Sequence, residues 1–152
     1  MRIAHAGLAA LAAVLLLAGC GAATPTPTQT SGGQPSASPA PAATPEIHLE
    51  GSATSNKAYF DLVNERLIAA GGTLDGRAFI DNLVAAGYAI NVMEVTSDRT
   101  AINGPADNIS FSIKINGNCL IGQYGNIGYD STTGAILETG RCLIGTTRTI
   151  DW

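Results

Sequence analysis

The clearest pattern along the chain is the strict alternation of apolar and polar residues over Ile109–Ile115, where every odd position is apolar. Such alternation predicts a β-strand with one buried and one solvated face. Asn116-Gly117 follows at once and is the strongest short signal for a two-residue hairpin turn. Positions whose numbers add to 233, as 116 and 117 do, then lie opposite each other. Phe111 therefore faces Gly122, whose missing side chain leaves room for the phenyl ring.

Two segments before this strand carry apolar residues at helical spacing. The first helix is predicted to be capped by Ser55 or Asn56 and to end at Gly71, and a second, shorter one is capped by Thr73 or Asp75. The apolar stripes are Tyr59, Phe60, Val63, Leu67 and Ala70 in the first helix and Phe79, Ile80, Leu83 and Val84 in the second. Two such stripes a few residues apart predict a helical hairpin packed on a sheet.

Further strands are predicted from a repeated tetrapeptide, because Cys119-Leu-Ile-Gly recurs at Cys142. If both copies are neighbouring strands, their cysteines reach the Cα separation of about 4.4–6.8 Å that a disulfide requires. Met93 and Val95 mark an earlier strand. We therefore predict an α+β domain in which two N-terminal helices pack on an antiparallel sheet of about three to five strands. One disulfide is expected, between Cys119 and Cys142.

The start of the chain has a different character. Arg2 precedes an apolar run, Ala6–Ala18, that is shorter than the roughly 20 residues of a membrane-spanning helix, so residues 1–19 are predicted to be a signal peptide. The run closes on Leu17-Ala18-Gly19-Cys20, and at this motif the chain resembles bacterial lipoprotein precursors. The resemblance implies cleavage before Cys20 and a lipid on its sulfur, which holds the protein at the extracytoplasmic face of the cell membrane. Two or three acyl chains give stable anchoring, whereas one holds only marginally.

Residues 20–46 form a second region, which holds six of the seven prolines together with many threonine, serine and alanine residues. Such a segment has no large apolar side chains to bury and is predicted to be a disordered linker. As a coil it spans roughly 30 Å, and as extended polyproline II up to roughly 80 Å. The single folded domain is therefore predicted to occupy residues 47–152.

The charge balance narrows the possible partners. The chain has 8 basic and 12 acidic residues and a formal net charge of −4. An acidic domain without a basic stripe is not expected to bind nucleic acid or anionic lipid through charge. Contact with the membrane is therefore expected through the lipid on Cys20. An envelope protein, a peptide or a glycan is the expected partner of the domain.

The residues capable of chemistry form no recognisable catalytic motif. Asp61 and Glu65, one helical turn apart, are a candidate acid–base pair, but a solvated helix face is the simpler interpretation. His48 stands where the linker meets the domain and is expected to be solvated. Asp130-Ser-Thr-Thr-Gly134 lacks the ligand pattern of a calcium loop and is expected to be a turn, with one more short strand between residues 124 and 134 as the alternative. We expect no catalytic residue, no bound cofactor and no metal site.

The best candidate binding surface is the stretch that contains Tyr124, Asn126 and Tyr129. Nearby glycines allow a ligand to approach the backbone closely, and tyrosines provide amphipathic contact area. The alternative interpretation is that the glycines serve tight turns and the tyrosines cap the core.

At Cys119-Leu-Ile-Gly-Gln-Tyr-Gly and Thr147-Arg-Thr-Ile-Asp-Trp152 the domain resembles a small uncharacterised domain of actinobacterial lipoproteins. The resemblance spans residues 57–152 and implies an actinobacterial host and a cell-envelope setting. It carries over no functional residues. The preferred hypothesis is a non-enzymatic module, tethered outside the membrane, that binds a partner in the envelope. The alternatives are a small envelope hydrolase that uses carboxylates assembled by the fold, and a structural accessory subunit of an envelope complex.

Overall fold

The computed structural model describes residues 43–152. The predicted signal peptide, the lipobox with Cys20 and most of the predicted linker lie outside the described residues. Within them, two α-helices and a short 3-10 helix (Ile90–Val92) precede five strands, so the predicted α+β class is confirmed. The helices are α1 (Ala53–Ala70) and α2 (Gly76–Ala85); the strands are β1 (Met93–Thr96), β2 (Asn108–Ile115), β3 (Asn118–Gly125), β4 (Gly128–Ala135) and β5 (Thr147–Arg148).

Helix α1 starts earlier than the sequence indicated. Its N-cap is Ser52, whose hydroxyl accepts a hydrogen bond from the Ser55 N–H at 3.1 Å. The prediction of Ser55 or Asn56 as the cap is wrong, because Asn56 is fully buried and its carboxamide bonds both backbone groups of His48 at 2.7–2.8 Å. At the start of α2, Asp75 is the cap of the two residues predicted, since its carboxylate accepts from the Ala78 N–H at 2.8 Å.

The sheet is antiparallel in the order β4-β3-β2-β1-β5. The register of β2 against β3 is the predicted one, with Phe111 opposite Gly122 and Ile113 opposite Leu120. Asn116 and Gly117 form the turn, both with positive φ, as a two-residue hairpin of this type requires. Apolar side chains of β1, β2 and β3 cover one face of the sheet, and both helices pack on that face.

Two local predictions in the second half are wrong. Residues 130–134 are not a turn but part of β4, which pairs with β3 over eight consecutive positions. The second copy of the repeat, Cys142–Gly145, is not a strand. The backbone N–H groups of Cys142 and Leu143 donate to the Glu94 carboxylate at 3.0–3.3 Å. These N–H groups bond a side chain and therefore join no strand ladder.

The predicted disulfide is confirmed even though its two cysteines do not lie on neighbouring strands. Cys119 and Cys142 are bonded, with their Cα atoms 5.6 Å apart. Cys119 lies on the face of the sheet opposite the helices, where Lys114 is its cross-strand neighbour. Residues 136–146, which we call the strap, are thus fixed to this second face by a covalent bond and by Glu94.

Candidate functional site

The segment that precedes α1 contacts one end of the sheet, at the β2–β3 turn. At one end, the side chain of Asn116 donates to the carbonyls of Leu49 at 3.1 Å and Gly51 at 2.6 Å. The segment that leads into α1 therefore lies beside the β2–β3 turn. Strand β2 runs away from that turn for eight residues, or about 26 Å. We call the far end, formed by residues 97–108 and the β3–β4 turn, the distal end.

The structure brings the three predicted binding residues together at the distal end. Tyr124 and Tyr129 lie directly opposite each other in β3 and β4, and Asn126 occupies the turn between these strands. The Asn126 N–H donates to the Asp107 carbonyl at 3.0 Å, and its side chain donates to the Asp107 carboxylate at 3.3 Å. The turn is thereby fixed to the loop that precedes β2.

The two tyrosines also serve the packing of the domain. The ring of Tyr124 contacts that of Phe79, with centroids 5.4 Å apart. The Tyr129 hydroxyl donates to Asp61 at 2.9 Å. Burial raises the pKa of Tyr129, and the neighbouring Asp61 charge raises it further. Both rings are only partly buried, so they cap the core and still contribute surface. A binding role for these residues remains a prediction.

Two recesses open at the distal end, one on each side of the sheet. A cavity of about 240 Å³ lies on the helix side, and a groove of about 520 Å³ lies on the opposite face. We call the second one the polar groove. The cavity is lined by Leu74, Ala106, Asp107, Asn108, Ile109, Tyr124, Gly125 and Asn126. The polar groove is lined by Thr96, Ser97, Arg99, Thr100, Ala101, Asn108, Ser110 and Thr146. Asn108 belongs to both recesses.

Several polar groups of the groove are free to meet a ligand. Within residues 43–152, the side chains of Asn108, Ser110 and Thr146 make no hydrogen bond to the protein. One guanidinium nitrogen of Arg99 donates to the Asn103 carbonyl at 3.1 Å, and the other N–H groups of this side chain can bind a ligand. The lining of the groove therefore carries hydroxyl, amide and guanidinium groups that can bind a ligand.

The loop that carries part of this groove is held by Asp98. One carboxylate oxygen accepts from the Gly76 N–H at 2.6 Å, at the start of α2. The other oxygen accepts from Arg148 in β5 at 2.7 Å. Asp98 thus connects the loop to a helix and to the last strand, which preorganises the groove before any ligand arrives.

The polar groove was missed by the sequence analysis. Its residues come from positions 96 to 146 and are mostly single serine and threonine residues with no spacing motif. The only local signal was the Asn103-Gly104-Pro105 turn in the loop that flanks the groove.

The candidate acid–base pair is rearranged by the fold. Asp61 does not contact Glu65, which is exposed, but accepts hydrogen bonds from Tyr129 and Ser131 of β4 and from Lys57 at 2.7 Å. Burial raises the pKa of Asp61, but these three hydrogen bonds and the Lys57 charge outweigh it, and the net pKa is lowered. A carboxylate that is held ionised in this way is a weak base. The contacts of Asp61 join α1 to β4.

Metal sites and membrane-spanning helices can also be assessed over the described part of the chain. Between residues 43 and 152, no three His, Cys, Asp or Glu side chains converge closely enough to hold a metal ion. His48 is exposed at the start of the domain, and Cys119 and Cys142 are consumed by their disulfide. Neither of the two helices in this range has the length and apolar character needed to cross a membrane.

Comparison with known proteins yields one match. A family model, described as a domain of unknown function (DUF6993), matches residues 64–146, which is more than half of the 152-residue chain. No curated protein and no solved structure matches the chain. The match runs from the middle of α1 to the residue before β5, so it includes all of the polar groove and all of the strap. The expected small uncharacterised domain is confirmed by this match.

Proposed function

We propose that this chain, which belongs to the DUF6993 family, is a lipid-anchored extracytoplasmic protein whose domain binds a glycan in the polar groove at its distal end. The observation that carries the proposal is the placement of two features at opposite ends of β2. The incoming chain lies at the β2–β3 turn, and the groove lies at the far end of the same strand. A tether that enters at one end presents the other end away from the membrane.

The chemistry of the groove favours a glycan over a protein partner. Protein interfaces depend on a buried centre rich in aromatic and other large apolar residues. The groove offers only Ala101 as an apolar side chain, whereas hydroxyl, amide and guanidinium groups form the rest of its lining. A volume of about 520 Å³ lies within the usual range of small-ligand sites. Sugar hydroxyls both donate and accept, and the unpaired groups of Asn108, Ser110 and Thr146 can meet them.

The membrane location is supported by the start of the sequence. The lipobox, the apolar run of signal-peptide length and the proline-rich linker follow one another in the order of an anchored lipoprotein. A linker of this length places the start of the domain roughly 30–80 Å from the bilayer, and the groove lies about 26 Å farther, at the other end of β2. Such a distance gives the groove access to wall polymers. The hydrolase and accessory-subunit alternatives stay predictions; release of soluble fragments from cell-wall material by the purified native chain would favour the first.

Asn108→Ala is expected to weaken binding of soluble cell-wall glycan fragments about tenfold. The carboxamide makes no hydrogen bond within the described residues, so the variant loses a ligand contact of about 1.4 kcal/mol without disturbing the fold. Asn118→Ala is the matched control. Asn118 is also the first residue of its strand and exposed, but it lies at the other end of the sheet. Calorimetric titration measures both affinities. Absence of glycan binding by the native chain would disprove the proposed function.

Cys20→Ser is expected to release the protein from the membrane fraction and to leave the signal peptide attached. The hydroxyl of serine cannot form the thioether that lipobox processing requires. Mass spectrometry of the native and variant proteins measures the lipid and the new N-terminus. Gly21→Ser, next to the motif, is the control that keeps the sulfur. Normal processing and membrane retention of Cys20→Ser would disprove the lipoprotein assignment while leaving the glycan site untested by that result.

A further inference from the structure

Strand β4 forms one edge of the sheet and leaves a regular row of backbone groups facing outward. It pairs with β3 through eight consecutive positions, from Gly128 opposite Gly125 to Ala135 opposite Asn118, without a bulge. The residues that flank a two-residue hairpin loop exchange their N–H and C=O groups, and hydrogen-bonded positions then alternate along an antiparallel pair. The outward-facing backbone groups therefore belong to Tyr129, Ser131 and Thr133.

This edge lacks most of the features that usually protect an exposed strand, and Asp130 is its one charged residue. Protected edges are short, bulged or covered, or carry lysine or proline. The sequence of β4, Gly-Tyr-Asp-Ser-Thr-Thr-Gly-Ala, contains neither lysine nor proline. Among the described residues, the outward backbone groups of Tyr129 and Ser131 make no hydrogen bond, and the Thr133 carbonyl accepts only from the neighbouring Thr132 hydroxyl at 3.4 Å. The other edge of the sheet is the two-residue strand β5. Strand β4 is thus the long, open edge.

The edge is also fixed in place. Tyr129 and Ser131 both donate to the Asp61 carboxylate on α1, and Lys57 donates to the Ser131 hydroxyl at 2.7 Å. These contacts hold the outward backbone groups in one arrangement. A rigid edge loses little conformational entropy when another strand pairs with it.

We propose that β4 is the contact surface for a second copy of this chain. Two β4 strands pair antiparallel about a twofold axis at Ser131, and their five-stranded sheets join into one continuous sheet of ten strands. Tyr129 of one copy then faces Thr133 of the other, so outward-facing groups meet outward-facing groups along the contact. This inference goes beyond the proposed glycan site, because the edge of β4 is not part of the polar groove.

Charge and helix spacing favour a second copy as the occupant. In this register Asp130 faces Thr132 of the other copy, so no two acidic residues are directly opposed. Lys57 and Asp61 both contact Ser131, and the twofold axis at Ser131 brings the Lys57 of each copy towards the Asp61 of the other. Helix α1 packs over β3 and β4. With strands about 4.8 Å apart, the two α1 helices lie about 10 Å apart, which is a normal packing distance.

The test compares Thr133→Pro with Thr133→Val in the chain from residue 20 onward, carrying Cys20→Ser so that no lipid intervenes. Proline is tolerated in the monomer, because the Thr133 N–H faces away from β3. It removes two hydrogen bonds from the symmetric contact and is expected to raise the dimer dissociation constant about thirtyfold. Valine keeps the N–H and the strand preference, so it is expected to keep the dimer. Sedimentation equilibrium measures the dissociation constants.

Backbone amide exchange, followed residue by residue, is the second measurement. We expect the amides of Tyr129, Ser131 and Thr133 to become protected as protein concentration rises, with no such change in Thr133→Pro. This measurement on the native sequence decides the question even if the proline variant fails to fold. A protein that stays monomeric at submillimolar concentration overturns the inference. So does edge protection independent of concentration, a dimer unaffected by Thr133→Pro, or an edge occupied instead by a foreign peptide. None of these outcomes bears on Asn108 and glycan binding.

Discussion

Phe111→Ala is expected to lower the free energy of unfolding by about 3–5 kcal/mol, the largest effect of any single substitution considered. Phe111 is fully buried at the centre of the sheet. Its ring stacks on Phe79 with centroids 4.4 Å apart and contacts Phe60 at 5.9 Å. On the strand opposite, Gly122 has no side chain to fill the space that the ring would leave. Phe60 belongs to α1 and Phe79 to α2. The cavity that the alanine substitution creates therefore lies where both helices meet the sheet.

Urea denaturation measures this loss of stability. The free energy of unfolding is expected to fall while its dependence on urea concentration stays unchanged. Ile127→Ala is the control, since Ile127 is 83% exposed in the β3–β4 turn and its truncation is expected to change stability by less than about 0.5 kcal/mol. Gly122→Ala tests the same contact from the other strand. A methyl group there would lie 2.6 Å from Phe111 Cζ, so a destabilisation of about 1–3 kcal/mol is expected. Equal stability of Phe111→Ala and Ile127→Ala would contradict the central position of this ring.

Loss of the disulfide is expected to cost about 3 kcal/mol of stability. The bond joins residues 23 positions apart, and opening the loop returns conformational freedom mainly to the unfolded chain. For a domain of this size, a loss of this magnitude lowers the melting temperature by more than about 10 °C. Differential scanning calorimetry with and without a reductant measures the effect. The double variant Cys119→Ala with Cys142→Ala is the control, because a reductant cannot change it further.

The reduced protein is expected to stay folded. Glu94 still accepts hydrogen bonds from two backbone N–H groups of the strap, and Arg141 lies 3.7 Å from the same carboxylate. The helix-facing core does not include either cysteine. Two titratable thiols in native protein, or an unchanged melting temperature on reduction, would contradict a stabilising role for this bond.

The proposed glycan site and the proposed dimer use different parts of one framework. Strands β1 and β2 and the distal loop form the polar groove, whereas β4 forms the open edge. Asp98 stabilises the first region and Asp61 the second, and each does so by accepting from two separate elements. Two carboxylates of a domain with few charged residues thus hold the two proposed surfaces in place.

The features that could be predicted from the sequence are those encoded by neighbouring residues. The alternation in β2 and the Asn116-Gly117 turn predicted the whole β2–β3 register, including Phe111 opposite Gly122. The helical stripes predicted two helices on one face, and the repeated Cys-Leu-Ile-Gly tetrapeptide predicted the bond between Cys119 and Cys142. Periodicity decides which face is buried, and turn chemistry decides which positions are opposed, so both can be derived from local sequence.

The contacts between distant polar groups could not be predicted in this way, because they form only when the folded elements pack together. Asp61 bonds Ser131, which is 70 positions away, and Glu94 takes the N–H groups of Cys142, so that a segment with a strand-like sequence became a loop. The polar groove likewise assembles from single residues between positions 96 and 146. Such contacts depend on the relative placement of helices, strands and loops. A hydrogen bond is directional and short in range, and no local pattern records which partner the fold will bring within reach.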